Sequence, residues 1–360
     1  MEDNNSKPEK DENAFEDPIK KALSDPETPL SPKPPVQPSE FGAPRVDLSL
    51  LNSKVGAVRI EIGKFLVGQH EMVDLLLIGL FCGGHVLLEG VPGVAKTLTA
   101  KVLSKTLSVD FSRIQFTPDL MPSDIIGTSV YNLKSGEFIF KKGPIFTNIV
   151  LIDEINRAPA KTQSALFEVM EERQITYDGV KYNLDFPFLV IATQNPIEQE
   201  GTYRLPEAQL DRFIFKVNLH YPTLEEEKEI LIRFRNKHDI DLENVQSLFS
   251  KNELKTIQNC IEQVTLDDSL VTYIANITHE TRSHGKLYLG GSPRASLSMM
   301  KTSKAIAAMR GRDFVVPDDV QYVAFHVLNH RIILTPEAEM EGMDASIIIQ
   351  EIIQKVEVPR

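Results

Sequence analysis

Apolar positions change their spacing twice along the chain, and the changes divide it into three stretches. Residues 1–44 hold few large apolar side chains and nine of the 22 prolines, with PETPLSPKPPVQP at 26–38. Such a segment buries too little surface to offset its ordering entropy, so it reads as a disordered, Pro-rich acidic tail. From residue 45 to 222, short β-rich runs alternate with helix-period patterns, as a parallel sheet flanked by helices requires. The expected strands are HVLLEG (85–90), SRIQFT (112–117), NIVLIDE (148–154), FLVIATQ (188–194) and FIFKVNL (213–219). Their middles are apolar without alternation, the mark of strands buried on both faces. Two stretches that do alternate predict hairpins. VYNLKSGEFIFKKG (130–143) turns at Lys134-Ser135-Gly136, and QITYDGVKYNLDF (174–186) turns at Asp178-Gly179, a strong two-residue turn pair. From 223 to 360 the spacing is that of helices, as in SLVTYIANITHETRS and PRASLSMMKTSKAIAAMRG, which predicts a second, all-helical domain.

A hydrophobic share of 42% in 360 residues suits a chain with a proper buried core. The longest apolar run, LLLIGLFCGGHVLL (75–88), contains a histidine and two adjacent glycines and is too short to span a bilayer. The opening MEDNNSKPEKDENAFED lacks the basic and apolar regions of a secretory signal. Cys82 and Cys260 stand far apart and suggest neither a disulfide framework nor a metal site. A cytoplasmic, reducing setting and no membrane insertion are the expectations. Net charge is −12, of which −4 falls on residues 1–45 and −8 on the rest. An acidic folded part weighs against a broad nucleic-acid footprint and favours a protein partner or a small ligand.

The chemistry begins at LLEGVPGVAKTLTAKVL (87–103). A phosphate loop needs a strand, a glycine turn that exposes backbone N–H groups, and a helix N-terminus aimed at the anion. HVLLEG supplies the strand, Gly90 and Gly93 the turn, and KTLTAKVLSKTL the helix. Lys96 would reach the β- and γ-phosphates, and the Thr97 hydroxyl would bind Mg²⁺. The template asks for a second glycine where Ala95 stands. Its methyl group is tolerable where the backbone is already near helical conformation. NIVLIDEINRAP ends an apolar strand in Asp153-Glu154, 57 residues after Lys96. Asp153 would hold Mg²⁺ and Glu154 would polarise an attacking water. A lone Asp-Glu is commonly no more than an acidic helix cap, but behind a phosphate loop the pair points to an ATPase or GTPase. VIATQNP ends another buried strand at Asn195, suited to orienting the lytic water. Arg212 in LPEAQLDRF opens a strand, and Arg294 in GGSPRAS opens a helix. Either alone would be an ordinary surface residue. Together, behind an ATPase core, they are candidate catalytic cations.

These motifs, in this order, resemble the MoxR family of AAA+ ATPases. The resemblance rests on VGQHEMVDLLLIGLFCGGHVLLEGVPGVAKT, FTPDLMPSDIIG, LIDEINRAPAKTQSALFEVMEERQIT, ATQNP, RLPEAQLDRF and GGSPRA, and it covers roughly residues 46–335. In that family the loop commonly ends Ala-Lys-Thr, so Ala95 is the family's own variant. The resemblance implies a doubly wound parallel sheet with β-hairpin inserts, a helical lid, and a ring, usually of six subunits, with ATP and Mg²⁺ at the interfaces. It implies that Gly90, Val91, Pro92, Gly93, Val94, Ala95, Lys96, Thr97 and Leu98 form the nucleotide loop, with Thr97 and Asp153 on the metal. Val67, Gly68 and Gln69 would border the adenine. Glu154 would be the water residue, Asn195 the first sensor, and Arg294 the second sensor, coupling the lid to the γ-phosphate. Arg212 would be an arginine finger acting on the neighbouring subunit. Arg157 and Arg204 compete for that role, and the Asp-Arg-Phe context favours Arg212. The hairpins would tend to face the ring's pore.

The leading expectation is a chaperone-like machine that remodels or matures a protein client. Partners with von Willebrand factor A domains are implied by the resemblance. A nucleic-acid motor or restriction-type translocase is the alternative, with Lys134, Lys141, Lys142 and Lys181 on the hairpins as its best support. An ATP-gated, chelatase-like scaffold fits less well, because both Glu154 and Arg212 are present. HVLNH (326–330) sets two histidines four residues apart, but it lacks the glutamate and third ligand of a zinc site.

Overall fold

The computed structural model describes residues 46–195, 203, 205–235 and 242–359. The acidic tail lies outside the described residues. The described residues form one compact unit. Its centre is a five-stranded, wholly parallel sheet of order β2-β5-β8-β1-β9. The strands are β1 (Val86–Gly90), β2 (Phe111–Gln115), β5 (Ile149–Asp153), β8 (Leu189–Gln194) and β9 (Phe215–Leu219). All five coincide with the expected runs.

Alternate side chains of each inner strand enter different cores. Val86, Leu88, Ile149, Leu151 and Ile191 face one apolar cluster, while Leu87, Val150, Ile152, Val190 and Ala192 face the other. The first cluster is covered by α1 (Ser49–Gly63), α2 (His70–Phe81) and α3 (Lys96–Thr106), the second by α5 (Ala160–Glu172). Helices on both faces make the sheet doubly wound. Burial on both faces holds for β5 and β8, but not at the edges. Along β2, Ile114 is buried while Arg113 and Gln115 are exposed, and β9 alternates buried with half-buried positions. An edge strand keeps one flank and part of a face open to water, so its outward side chains are free to be polar.

A short α4 (Pro122–Ile126) leads into the first hairpin, β3 (Gly127–Asn132) and β4 (Glu137–Lys142), which is longer than expected by its opening residues. The second pairs β6 (Gln174–Tyr177) with β7 (Val180–Asn183). Its turn residues Asp178 and Gly179 have φ of 49° and 74°, the positive pair that a type I′ hairpin demands. The hairpins pack on each other through aromatic rings: Phe140 stacks on Tyr177 at 4.6 Å and tilts against Tyr182 at 4.7 Å.

After a short α6 (Glu207–Leu210) and β9, the chain is helical. Thr223 starts α7 (Leu224–Phe234): its hydroxyl accepts from the Glu226 N–H, and the Glu226 carboxylate accepts from the Thr223 N–H. This reciprocal pairing satisfies two donors that a helix end otherwise leaves open. Then follow α8 (Lys251–Glu262), α9 (Asp268–Ser283), α10 (Pro293–Met309), α11 (Pro317–Leu328), α12 (Pro336–Met340) and α13 (Ala345–Lys355). The region is not purely helical, since β10 (Leu287–Leu289) and β11 (Ile333–Leu334) form a small antiparallel ribbon. Its arms are too short to show a period. Apolar residues of α8 to α11 and α13 join the cluster that covers the first sheet face, so one apolar interior runs through both.

Candidate nucleotide site

β1 lies between β8 and β9, so the loop after it leaves the inner part of the sheet. Gly90 ends the strand where a Cβ would sit 2.8 Å from both the Cβ and the carbonyl oxygen of Leu219. Only glycine lets the two strands approach so closely. Gly93 follows with φ +89° and open space around it. Ala95 then takes φ 58° and ψ 22°. This corrects the expectation of a near-helical backbone: the conformation is helical but left-handed, and an L-residue there costs about 1–2 kcal/mol. Ala95 is held in place by its carbonyl, which accepts the Thr99 N–H at 2.9 Å and the Thr99 hydroxyl at 3.0 Å.

No side chain caps α3, which begins at Lys96. The helix start borders an open cleft of about 410 Å³ lined by the loop, Arg113, Gln115, Asp153, Glu154, Thr193 and Asn195. Unsatisfied helical N–H groups at a helix start form a receptor for anions. Lys96 donates to the Gly90 carbonyl at 2.5 Å. Burial pulls its pKa below the usual lysine value, while Asp153, Glu154 and Glu89 act in the opposite sense.

The acidic wall is built at the end of β5. Asp153 is nearly buried; its Oδ1 accepts from the Thr193 hydroxyl at 3.3 Å, and its Oδ2 accepts from Arg113 Nε at 2.5 Å. Glu154 turns into the left-handed region at φ 57°, with its N–H donating to Thr193 Oγ1 at 3.0 Å. That turn sends the two carboxyl groups to different partners. Glu154 Oε2 accepts from Gln115 Nε2 at 2.7 Å and lies 3.0 Å from Arg157 Nε. The donor set fits Mg-nucleotide. Thr97 and Asp153 offer the hard oxygens that Mg²⁺ prefers, Asp153 already engages a cation, and Lys96 and the α3 N-terminus offer the positive side. Mg²⁺ held there would screen phosphate charge.

The structure brings together Gly90, Pro92, Gly93, Val94, Ala95, Lys96, Thr97, Leu98, Asp153, Glu154 and Asn195. Val91 is half-buried and packs on the first core cluster rather than lining the cleft. Val67, Gly68 and Gln69 are not in the cleft wall either. Gly68 lines a separate niche of about 10 Å³, room for one water and no more. The two places meet at the end of β9: Leu219 pairs with Gly90, and Gln69 Nε2 donates to the His220 carbonyl at 3.3 Å.

Arg212 and Arg294 do not line the cleft. Both pair with one carboxylate, Glu171 near the end of α5: Arg212 Nη1 lies 2.9 Å from Oε2 and Arg294 Nη2 lies 2.5 Å from Oε1. Arg212 also donates to the Phe167 carbonyl at 2.6 Å. Arg157 sits at the cleft beside Glu154, and Arg204 falls outside the described residues.

Sequence reasoning missed what fixes this second constellation. Arg331 is buried and spends its donors on Asp211 Oδ1 (2.7 Å), on the carbonyls of Val327 (2.6 Å) and Phe213 (2.6 Å), and on others. Asp211 also accepts from the Ser292 hydroxyl at 2.8 Å, and Ser292 is the N-cap of α10, two residues before Arg294. His330, in the doubtful zinc pattern, is likewise structural: one nitrogen meets the Asn329 side-chain oxygen and the other the Phe213 carbonyl, each at 3.0 Å. His326 lies 3.1 Å from Glu71. Arg113, Gln115 and Thr193 were also missed; the alternation of the edge strand β2 was the available signal for the first two.

A phosphate loop after β1, an acidic pair after β5 and a polar residue after β8, followed by a helical lid, define an ATPase of the AAA class. The family described as ATPase family associated with various cellular activities (AAA) matches residues 85–215, and the AAA lid domain matches 279–352. Chaperone MoxR1 of Mycobacterium tuberculosis is 44% identical, over 83% of this chain and 81% of its own. Uncharacterized protein YeaC of Bacillus subtilis is 48% identical, over 86% and 96%. The crystal structure of a putative ATPase from Cytophaga hutchinsonii superposes with a TM-score of 0.81 at 48% identity, covering 87% of this chain and 97% of that one. The chain belongs to the MoxR family of AAA ATPases. Among the described residues, no helix is long and apolar enough to cross a membrane.

Proposed function

We propose that this chain hydrolyses Mg-ATP in a ring of six copies and uses the cycle to remodel or mature a protein client. The observation that carries the reading is the separation of its charges: the cleft holds Lys96, Thr97, Asp153, Glu154 and Asn195, while Arg212 and Arg294 stand together outside it on Glu171. Phosphoryl transfer depends mostly on positioning and on cations around the γ-phosphate. Arg113 and Arg157 at the cleft are engaged by its own acids, Asp153 and Glu154, so a neighbour that presents Arg212 and Arg294 completes it. In this reading Glu154 takes a proton from the attacking water, held until then by Gln115 and Arg157. Asn195 orients that water, and Lys96 with the α3 N-terminus binds the phosphates. Val67, Gly68 and Gln69 flank the base from the β9 side. Arg294, the second sensor that the resemblance implies, joins Arg212 in trans, so the γ-phosphate it couples to the lid is the neighbour's. The lid begins at Thr223.

A relative named as a chaperone supports a protein client, and a von Willebrand factor A domain is the partner class to try first. The first hairpin supports this over nucleic acid. It exposes the aliphatic Leu133 (89%) and the half-exposed Ile139 beside its lysines, and such groups gain nothing from a phosphate backbone. The test is Mg-ATP hydrolysis per subunit across a wide range of protein concentration, with sizing in parallel. Specific activity that rises as rings form is the expected result. Flat activity from a species that sizes as a monomer would overturn the shared site.

A further inference from the structure

The geometry points to Arg113 as a resident counter-ion that competes with Mg²⁺ for Asp153, so that metal enters the nucleotide site only by displacing it. This rests on the reading of the cleft as a Mg-nucleotide site.

The observation is how β2 presents its side chains. Residues two apart on a strand share a face, and β2 is the sheet edge beside β5. Ile114 goes into the core, while Arg113 and Gln115 stand on the other face and reach across to consecutive acids of the β5 end. Gln115 takes Glu154, and Arg113 takes Asp153. The two oxygens of Asp153 are thus occupied by Thr193 and by the Arg113 guanidinium. A carboxylate only 8% exposed needs a cation nearby, because an unpaired buried charge is costly. Lys96, the other cation lining the cleft beside it, gives its ammonium to the Gly90 carbonyl instead.

Arg113 is built to leave. Its side chain is 51% exposed, so it can swing out without opening the core. The outgoing guanidinium is singly charged, and an incoming metal ion is doubly charged and arrives with phosphate oxygens. The pair therefore stabilises the empty site and yields to the loaded one. After hydrolysis the same pair re-forms as metal departs, which favours release of product.

The test compares wild type with Arg113→Met and Arg113→Lys as full-length proteins. A fluorescent ADP analogue is titrated with Mg²⁺ at fixed nucleotide, and the melting point of each nucleotide-free protein is recorded. Arg113→Met is expected to reach half-maximal Mg-dependent binding at about two- to fivefold lower Mg²⁺, as loss of one partly exposed competing charge allows. Its empty form should also melt earlier, and Arg113→Lys should fall between. An unchanged Mg²⁺ requirement in a folded Arg113→Met protein would overturn the competition. So would a loss of nucleotide binding in the absence of Mg²⁺, which would make Arg113 a phosphate ligand. A wild type that binds the analogue with no response to Mg²⁺ would overturn the site reading itself.

Discussion

The nucleotide cleft and the Glu171 arginine pair carry complementary charges, but they are assembled in opposite ways. The cleft is made beyond strand ends: Asp153 is the last residue of its strand, Glu154 and Asn195 directly follow theirs, Lys96 and Thr97 open the helix after β1, and the sheet order brings them together. The arginine pair is made from α5, the segment before β9 and the first turn of α10, three pieces with no common motif. A site at strand ends inherits its geometry from the sheet. A site assembled from distant pieces needs dedicated ties, here Asp211, Ser292 and Arg331.

The largest expected effect tests whether the second constellation serves a neighbour. Arg212→Ala should lower turnover about 10³-fold while ATP binding stays intact. Mixing it with a Lys96→Ala subunit, which has a disabled cleft and an intact arginine, should restore part of the activity. No recovery in verified mixed rings would return Arg212 to its own chain. The cleft is probed next. Glu154→Gln should retain ATP while turnover drops at least about 10²-fold, and full activity there would remove Glu154 from the reaction.

A smaller effect examines the joint between the two regions. His85, just before β1, accepts the Val190 N–H on Nδ1 at 3.0 Å and so donates from Nε2 to the carbonyl of Met170, the residue before Glu171. Burial pulls its pKa down to about 4. The unfolded chain, with a histidine near 6.5, takes up a proton first on acidification. The stabilisation is therefore complete above about pH 6.5 and is lost as pH falls toward 4, amounting to about 2 kcal/mol by pH 5. Buried His330 shifts in the same direction. Denaturation midpoints at pH 5 and pH 8 should show the loss, with a shallower pH dependence in His85→Gln. The smallest effect concerns the loop itself. Ala95→Gly should raise stability by up to about 1 kcal/mol, since relief of the left-handed strain exceeds the added freedom of the unfolded chain. A destabilised Ala95→Gly protein would mean that the methyl group packs usefully.

The same contrast explains what could be read in the sequence. Motifs at strand ends are contiguous, so Lys96, Thr97, Asp153, Glu154 and Asn195 were legible together, as was the Asp178-Gly179 turn. Arg212 and Arg294 were legible as residues but not as a pair, because no motif marks Glu171, near the end of α5, as the carboxylate they share. Arg113 and Gln115 needed the knowledge that β2 is an edge lying beside β5, which no single strand's pattern contains. Arg331 directly follows HVLNH, and no motif there marks it as the residue that binds carbonyls around Arg212.

Arg331 behaves as a rivet. It grips Asp211, the Phe213 carbonyl and its own helix end at once, and removing one partner of so buried a charge costs about 3–5 kcal/mol. A lid fastened this way has no slack against the segment before β9 that carries Arg212. If it tilts, the arginine must travel with it, and in the ring proposed above a push on one subunit's lid would change that arginine's reach toward the next.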